Sequence, residues 1–196
     1  MRNVAILLFD DAEVLDFAGP FEVFSVASQV HDHKLFNVFT IAKSKQSIRA
    51  VNGLKVVPDH NIKNHPTIDI LIISGGQGTT PLLEEKEVLD WVKTIHANTE
   101  ITMSICSGSR VLGVLGLLDN KEYSTHHLVY EDMQKIVPSG SAQKHKRYVN
   151  DGKIHTTGGI SAGIDASFDI VEKLHGKKVA EETAKFMEYT IVKNKN

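Results

Sequence analysis

The run Ile101-Thr102-Met103-Ser104-Ile105-Cys106-Ser107-Gly108-Ser109-Arg110 sets the single cysteine of the chain between an apolar stretch and a segment that opens a helix. A short apolar run of this kind reads as a strand buried on both faces. A nucleophile on the sharp turn that leaves such a strand projects from the carboxyl edge of a sheet, often from a strained backbone. The free N–H groups and positive dipole end of the following helix favour a thiolate, the reactive form of cysteine. The chemistry this implies is covalent catalysis by Cys106. The competing use of the residue is as a small buried apolar filler.

Three further groups bear on that thiol. Gly75-Gly76 follows the apolar run 68–73, which only Asp69 interrupts. Two glycines at a strand end let backbone N–H groups approach a substrate oxygen, and with the Ser107 N–H they would form an anion hole. A tight packing turn is the other reading of the pair. Asp16 lies in Val14-Leu15-Asp16-Phe17-Ala18-Gly19-Pro20. At a helix start its carboxylate serves as a terminal charge. Partly buried between Leu15 and Phe17, it would instead have a raised pKa suited to proton transfer. Glu22 competes for that role from the same helix. His126 and His127 follow Ser124-Thr125, and a histidine near a thiol serves as base or orienter. In a chain with ten histidines, a surface position is the plain alternative. His31-x-His33 has no third ligand, so no metal is expected. No P-loop is present and no GxGxxG follows a strand, so no phosphate or dinucleotide cofactor is expected.

The elements that must position these residues follow from apolar spacing. Residues 4–9, 35–42, 68–73 and 101–105 read as buried strands. Phe21, Phe24 and Ala27-Ser28 follow Pro20, which suits a first helical turn. Val88, Trp91, Val92 and Ile95 form a helical stripe, and Val111, Leu112, Leu115 and Leu118 form another. Ile164, Phe168, Val171 and Leu174 form a third, and 179–191 reads as a last helix. Strands alternating with helices predict an α/β fold, a doubly wound and mostly parallel sheet with helices on both faces. Active sites in such sheets sit at the carboxyl ends of the strands. Asn52-Gly53 and Asp151-Gly152 read as hairpin turns.

The bulk properties narrow the classes. The chain has 196 residues and reads as one domain, 1–196. A domain of that size buries about 70% of its unfolded surface and needs no disulfide or metal to hold a core. Lysine and arginine number 22 against 24 acidic residues, so no nucleic-acid partner is expected. One cysteine permits no intramolecular disulfide, which suits a reducing compartment. The start MRNVAILLFDD is too short for a signal-peptide core. No apolar run approaches the roughly 18 residues of a membrane helix. A soluble cytoplasmic protein without a membrane partner is expected.

Five blocks, LLFDDAEVLDFAGPFEV near the start, ISGGQGT at 73–79, SICSGSRVLGVLGLLDNK at 104–121, STHH at 124–127 and DGKIHTTGGISAGID at 151–165, resemble the ThiJ/PfpI superfamily. Within it the sequence is most similar to the isonitrile hydratases. The resemblance implies a class I glutamine-amidotransferase-like fold, a flavodoxin-like three-layer sandwich. It implies Cys106 as nucleophile, Asp16 as the acidic residue facing it, and Gly76 and Ser107 as oxyanion-hole positions. His126 matches a histidine near the cysteine, and Gly158-Gly159 with 161–165 match a loop and helix start beside the pocket. There are departures. Ser107 stands where isonitrile hydratases carry threonine, and His127 where they tend to carry tryptophan. The PfpI-type proteases place histidine directly after the cysteine, so Ser107 counts against that mechanism. The transcription-regulator branch adds a C-terminal helix-turn-helix domain, for which a chain ending at 196 has no room. The implied activity is hydration of an isonitrile, a small-molecule substrate, without cofactor, in a homodimer with the site near the interface. Amidase-like, protease-like or glyoxalase/deglycase-like action on a small carbonyl compound is the rival activity. A redox sensor or chaperone-like protein is the non-enzymatic rival.

Overall fold

The computed structural model describes residues 1–194. The first half runs β1 (Arg2–Leu7), α1 (Val14–Gln29), β2 (Phe36–Ala42), β3 (Ile48–Arg49), β4 (Lys55–Val56), β5 (His60–Asn61), β6 (Ile70–Ile73), α2 (Thr79–Leu82) and α3 (Lys86–Asn98). The second runs β7 (Ile101–Ser104), α4 (Ser109–Val114), β8 (Glu122–Tyr123), α5 (Tyr130–Ile136), β9 (Ser141–Ala142), β10 (Tyr148–Asp151), β11 (Ile154–Thr157), α6 (Ala162–His175) and α7 (Lys177–Phe186). Seven strands form one sheet in the order β10-β11-β7-β6-β1-β2-β5. Every neighbouring pair is parallel except the β10-β11 hairpin. The fold is therefore the α/β, mostly parallel, helix-flanked sheet that the alternation of apolar runs and stripes predicts. Among the described residues no helix is long and apolar enough to cross a membrane.

This topology creates the crevice. From β1 the chain winds outward through α1 to β2, and later returns to β6 on the opposite side of β1 and on to β7. Loops leaving β1 and β6 thus diverge, and a doubly wound sheet opens a crevice at the carboxyl ends where that happens. Asp16 follows β1, Gly75 and Gly76 follow β6, and Cys106 follows β7. Three segments far apart in sequence are delivered to one edge.

Several expected boundaries move, each for a local reason. Pro20 lies inside α1, which starts six residues earlier than a proline-led helix would. Having no N–H, Pro20 gives no bond to the carbonyl of Asp16 four residues before it. α4 ends at Val114, before the expected Leu115 and Leu118. Gly116 has φ +70, Leu117 N–H bonds Leu112 O and Gly116 N–H bonds Gly113 O, which together make a Schellman cap. α7 ends at Phe186 instead of continuing to 191. The same cap recurs there with Glu188 at φ +50, bonding to Lys185 O, and Tyr189 N–H on Ala184 O. Asn52 and Gly53, both at positive φ, sit at the β3-β4 hairpin, and Gly152 at the β10-β11 hairpin, as their dipeptides predict.

The core also holds a histidine. His155 on β11 is fully buried, and among the described residues neither ring nitrogen has a hydrogen-bond partner. Burial, aided by the Lys173 charge, pushes its pKa down to about 4. The unfolded chain binds this proton from about pH 6.5 downward and the folded chain does not, so stability is lost as pH falls through that window. The loss reaches about 3 kcal/mol by pH 4. His155→Met should therefore gain on the wild type in thermal unfolding as pH drops from 7 to 5. A difference between the two that is constant with pH would refute the assignment.

Candidate active site

Cys106 stands two residues past the end of β7, at φ +56, and starts a 3-10 turn that leads into α4. A side chain with a Cβ is uncommon there, and the conformation costs on the order of 1–2 kcal/mol. The surroundings hold it from both sides. Cys106 N–H donates to Gly158 O at 3.2 Å. Cys106 O accepts from Thr125 Oγ1 at 2.8 Å, and the Ser109 hydroxyl donates to Thr125 Oγ1 at 2.7 Å. A strained backbone fixed by so many bonds is a mark of function.

Asp16 lies in the first turn of α1 and is fully buried. Its Oδ2 accepts the Gly75 N–H at 2.9 Å, while Oδ1 has no hydrogen-bond partner among the described residues. A methyl group on Gly75 would come within 2.7 Å of Asp16 Oδ2, of Cys106 Cβ and of Ile105 O. No more than twice that distance therefore separates the carboxylate from the cysteine methylene, and only glycine fits between them. Burial raises the Asp16 pKa from 3.8 to about 7, against the pull of the Gly75 and Ile160 N–H groups. Glu22, the rival on the same helix, is exposed to solvent.

The thiol is not the preformed thiolate that its place before a helix suggests. Cys106 is only 7% exposed. Burial first, and the Asp16 charge second, push its pKa up to about 12. The Ser107 and Ile160 N–H groups and the Ser107 hydroxyl pull the other way and are outweighed. Desolvation of a charge exceeds what a few dipoles at a short helix return. The Asp16 carboxylate thus works against ionisation of Cys106.

The N–H groups of Gly75 and Gly76, expected to line an anion hole, are both engaged within the protein. The Gly75 N–H is taken by Asp16, and the Gly76 N–H donates to Ser107 Oγ at 2.9 Å. Ser107 Oγ donates back to Gly76 O at 3.0 Å, which Thr79 Oγ1 also reaches at 2.8 Å. Gly76 sits at φ +119, where a Cβ would meet Asp11 O at 2.2 Å. The backbone N–H groups that favour the Cys106 anion are those of Ser107 and Ile160. Ile160 has no sequence signal. A branched side chain at φ +51 is the last type a turn of this kind would predict.

His126 does not hydrogen-bond Cys106 among the described residues. Its Nδ1 accepts the Leu128 N–H at 3.3 Å, which assigns the proton of the neutral ring to Nε2. Burial and the neighbouring His127 keep its pKa below the usual value. The ring lies against Gly159, where a methyl would come within 2.1 Å of Cδ2. His127 is exposed, its ring 4.2 Å from that of His126. His31 is occupied by Ala27 O and Glu182.

The family model described as the DJ-1/PfpI family matches residues 2–173. The chain belongs to the DJ-1/PfpI family. An isonitrile hydratase from Pseudomonas putida is 31% identical over 187 residues, covering 95% of this chain and 78% of that one. The HTH-type transcriptional regulator GbdR of Pseudomonas aeruginosa is 23% identical over 193 residues, 98% of this chain and 52% of the regulator. This chain thus spans about half the length of that regulator. The crystal structure of a ThiJ/PfpI family protein from Pseudomonas syringae matches with a TM-score of 0.87 at 25% identity, over 100% of this chain and 78% of the other. In this DJ-1/PfpI protein, Asp16, Gly75, Cys106 and Ser107 lie on the connections that follow β1, β6 and β7 at the carboxyl edge of the sheet.

Proposed function

We propose that this DJ-1/PfpI protein hydrates an isonitrile to an N-substituted formamide, with Cys106 as nucleophile and Asp16 as acid and base. The observation that carries the reading is the buried carboxyl, pKa about 7, flanking Gly75 together with Cys106. A group that ionises near neutrality can both take and return a proton. Asp16 takes the thiol proton as sulfur bonds to the terminal carbon of the isonitrile, then passes that proton to the same carbon. The product is a thioimidate. The Ser107 and Ile160 N–H groups steady the sulfur while it carries charge. Asp16, ionised again, takes a proton from water as the oxygen adds to the imidate carbon, and hands it to nitrogen. The C–S bond breaks, the thiol recovers the hydroxyl proton, and formamide leaves. Every proton belongs to Asp16, Cys106, substrate or water, so the reaction requires no cofactor.

His126 is an orienting donor in this scheme, since its Nδ1 lone pair is taken. A second copy of the chain is part of the proposal. α1 leaves Leu15 and Phe21 partly at the surface beside Glu22, a mixed face that a second copy would cover. The redox-sensor reading is weaker, because a buried thiol with pKa about 12 presents little thiolate to an oxidant. With a simple alkyl isonitrile, the wild type should form formamide, Cys106→Ala should form none, and His126→Ala should stay within about tenfold of wild type. No turnover, or equal turnover by Cys106→Ala, would overturn the proposal.

A further inference from the structure

A cavity of about 310 Å³ lies where the connections after β1, β2 and β6 come together, and neither Cys106, Asp16 nor Gly75 lines it. Its floor is apolar, since Leu7, Leu8, Ile48, Leu82 and Val88 line it and each is buried. Its rim is polar and open to water, with Asp10, Lys43, Ser44 and Ser47 exposed on it. Small-molecule sites have this make-up and begin at about this size. The carboxyl edge is also where a doubly wound sheet takes its ligands. An apolar cavity of roughly 150 Å³ accepts benzene, so this one has room for an aromatic ring and a short chain.

The walls are tied together by backbone. Gly78 N–H donates to Asp11 O at 3.2 Å, Asp11 N–H donates to Arg49 O at 2.8 Å, and Ala12 pairs with Gly76 in an antiparallel bridge. Gly78 packs so closely that a Cβ on it would meet Asp10 O at 1.8 Å. The cavity is thus a preformed feature of the connections and not a gap between loose side chains.

Its rim has a charge preference. Among the described residues three ionisable side chains line the cavity, Asp10, Lys43 and Glu85. Lys43 Nζ lies 2.5 Å from Glu85 Oε2, so these two neutralise each other. Asp10 remains. Its Oδ1 accepts the Arg49 N–H at 2.7 Å, a neutral donor that fixes the carboxylate without cancelling its charge. The Arg49 side chain is not on the wall and lies toward Gly53. One net negative charge therefore sits at the mouth of an apolar hole. An anion entering it would face Asp10 and would have to compete with Glu85 for Lys43.

We propose that this cavity is a second ligand site, separate from Cys106, that takes a primary amine bearing a small apolar group. The apolar group fills the floor, and the ammonium stays at the rim against Asp10.

Phenethylamine is the probe, titrated at neutral pH and followed in amide proton–nitrogen correlation spectra. Shifts should saturate, fall within residues 43–48 and 78–85, and give the same affinity in Cys106→Ala. Phenethyl alcohol has the same shape without the charge, and Asp10→Asn keeps the oxygen that accepts the Arg49 N–H. Each should weaken binding about three- to fivefold, the worth of one exposed ion pair. Hydrocinnamate should bind more weakly still, and Ser47→Trp, which sets a large ring on the rim, should abolish binding. No saturation by about 10 mM amine, shifts centred on the Cys106 turn, or hydrocinnamate binding as tightly as the amine would each overturn the proposal. Should Ser47→Trp fail to fold, Asp10→Asn decides: it should bind amine and alcohol equally, and an undiminished preference for the amine counts against the site.

Discussion

Asp16→Asn is expected to cost formamide formation about 10²–10⁴-fold and at the same time to make the protein more stable above neutral pH. The two effects share one cause. Burial raises the Asp16 pKa from 3.8 to about 7. Between those values the folded chain binds a proton that the unfolded chain has released. Stability therefore falls as pH rises through the window, and above it the fold carries a buried anion whose Oδ1 has no hydrogen-bond partner among the described residues. A neutral amide of the same shape removes that cost, for a gain of about 1–3 kcal/mol at pH 8. Thermal unfolding of both proteins across pH checks it: the advantage of Asp16→Asn should grow from pH 5 to pH 8. A variant that is less stable at pH 8 would show that the carboxylate is held by favourable bonds and not strained by burial. His155 acts with the opposite sign below about pH 6.5. The wild-type curve alone mixes the two groups, and the paired variants separate them.

Gly75→Ala is expected to be nearly as damaging as loss of the nucleophile. One methyl group would lie 2.7 Å from Asp16 Oδ2, Cys106 Cβ and Ile105 O at once. Ile105 O is backbone, Cys106 Cβ is fixed directly to it, and the third is the carboxylate oxygen bonded to the Gly75 N–H. None is the free end of a flexible side chain, so the three must separate. Overpacking of this kind costs about 1–3 kcal/mol or more. The separation also breaks the alignment of acid and thiol, where a shift of about 1 Å costs roughly 10²-fold in rate. Circular dichroism melts and initial rates on an alkyl isonitrile measure both losses. A folded Gly75→Ala protein with wild-type rates would mean that Asp16 and Cys106 do not act across this glycine.

Much of this protein was legible in the order of its residues. Unbroken apolar runs such as 4–9 mark strands covered on both faces, because burial on two sides leaves no position for a polar residue. The stripe of Val88, Trp91, Val92 and Ile95 marks α3 because one face of a helix recurs at that spacing. The cysteine at the end of an apolar run, followed by Ser107-Gly108, marks a turn at a strand end. These are local properties, carried by residues a few positions apart. The ends of α4 and α7 were less legible, because Gly116 and Glu188 enter the left-handed region only when later residues fold back on the core.

The chemistry of the site belongs to the tertiary structure. Asp16 and Cys106 are ninety positions apart. They meet only because crossovers on opposite sides of β1 bring the loops after β1, β6 and β7 to one edge. Burial there turns a presumptive thiolate into a protonated thiol and an ordinary carboxylate into a weak acid, since both pKa values follow from water excluded by the whole fold. Gly75 and Gly76 were visible as glycines. That Asp16 and Ser107 would take their N–H groups depends on distances no spacing encodes. Composition and periodicity determine which residues are buried, because those are averages over neighbours in the chain. Which buried groups face one another, and hence what they do to a proton, was decided only when the sheet closed around them.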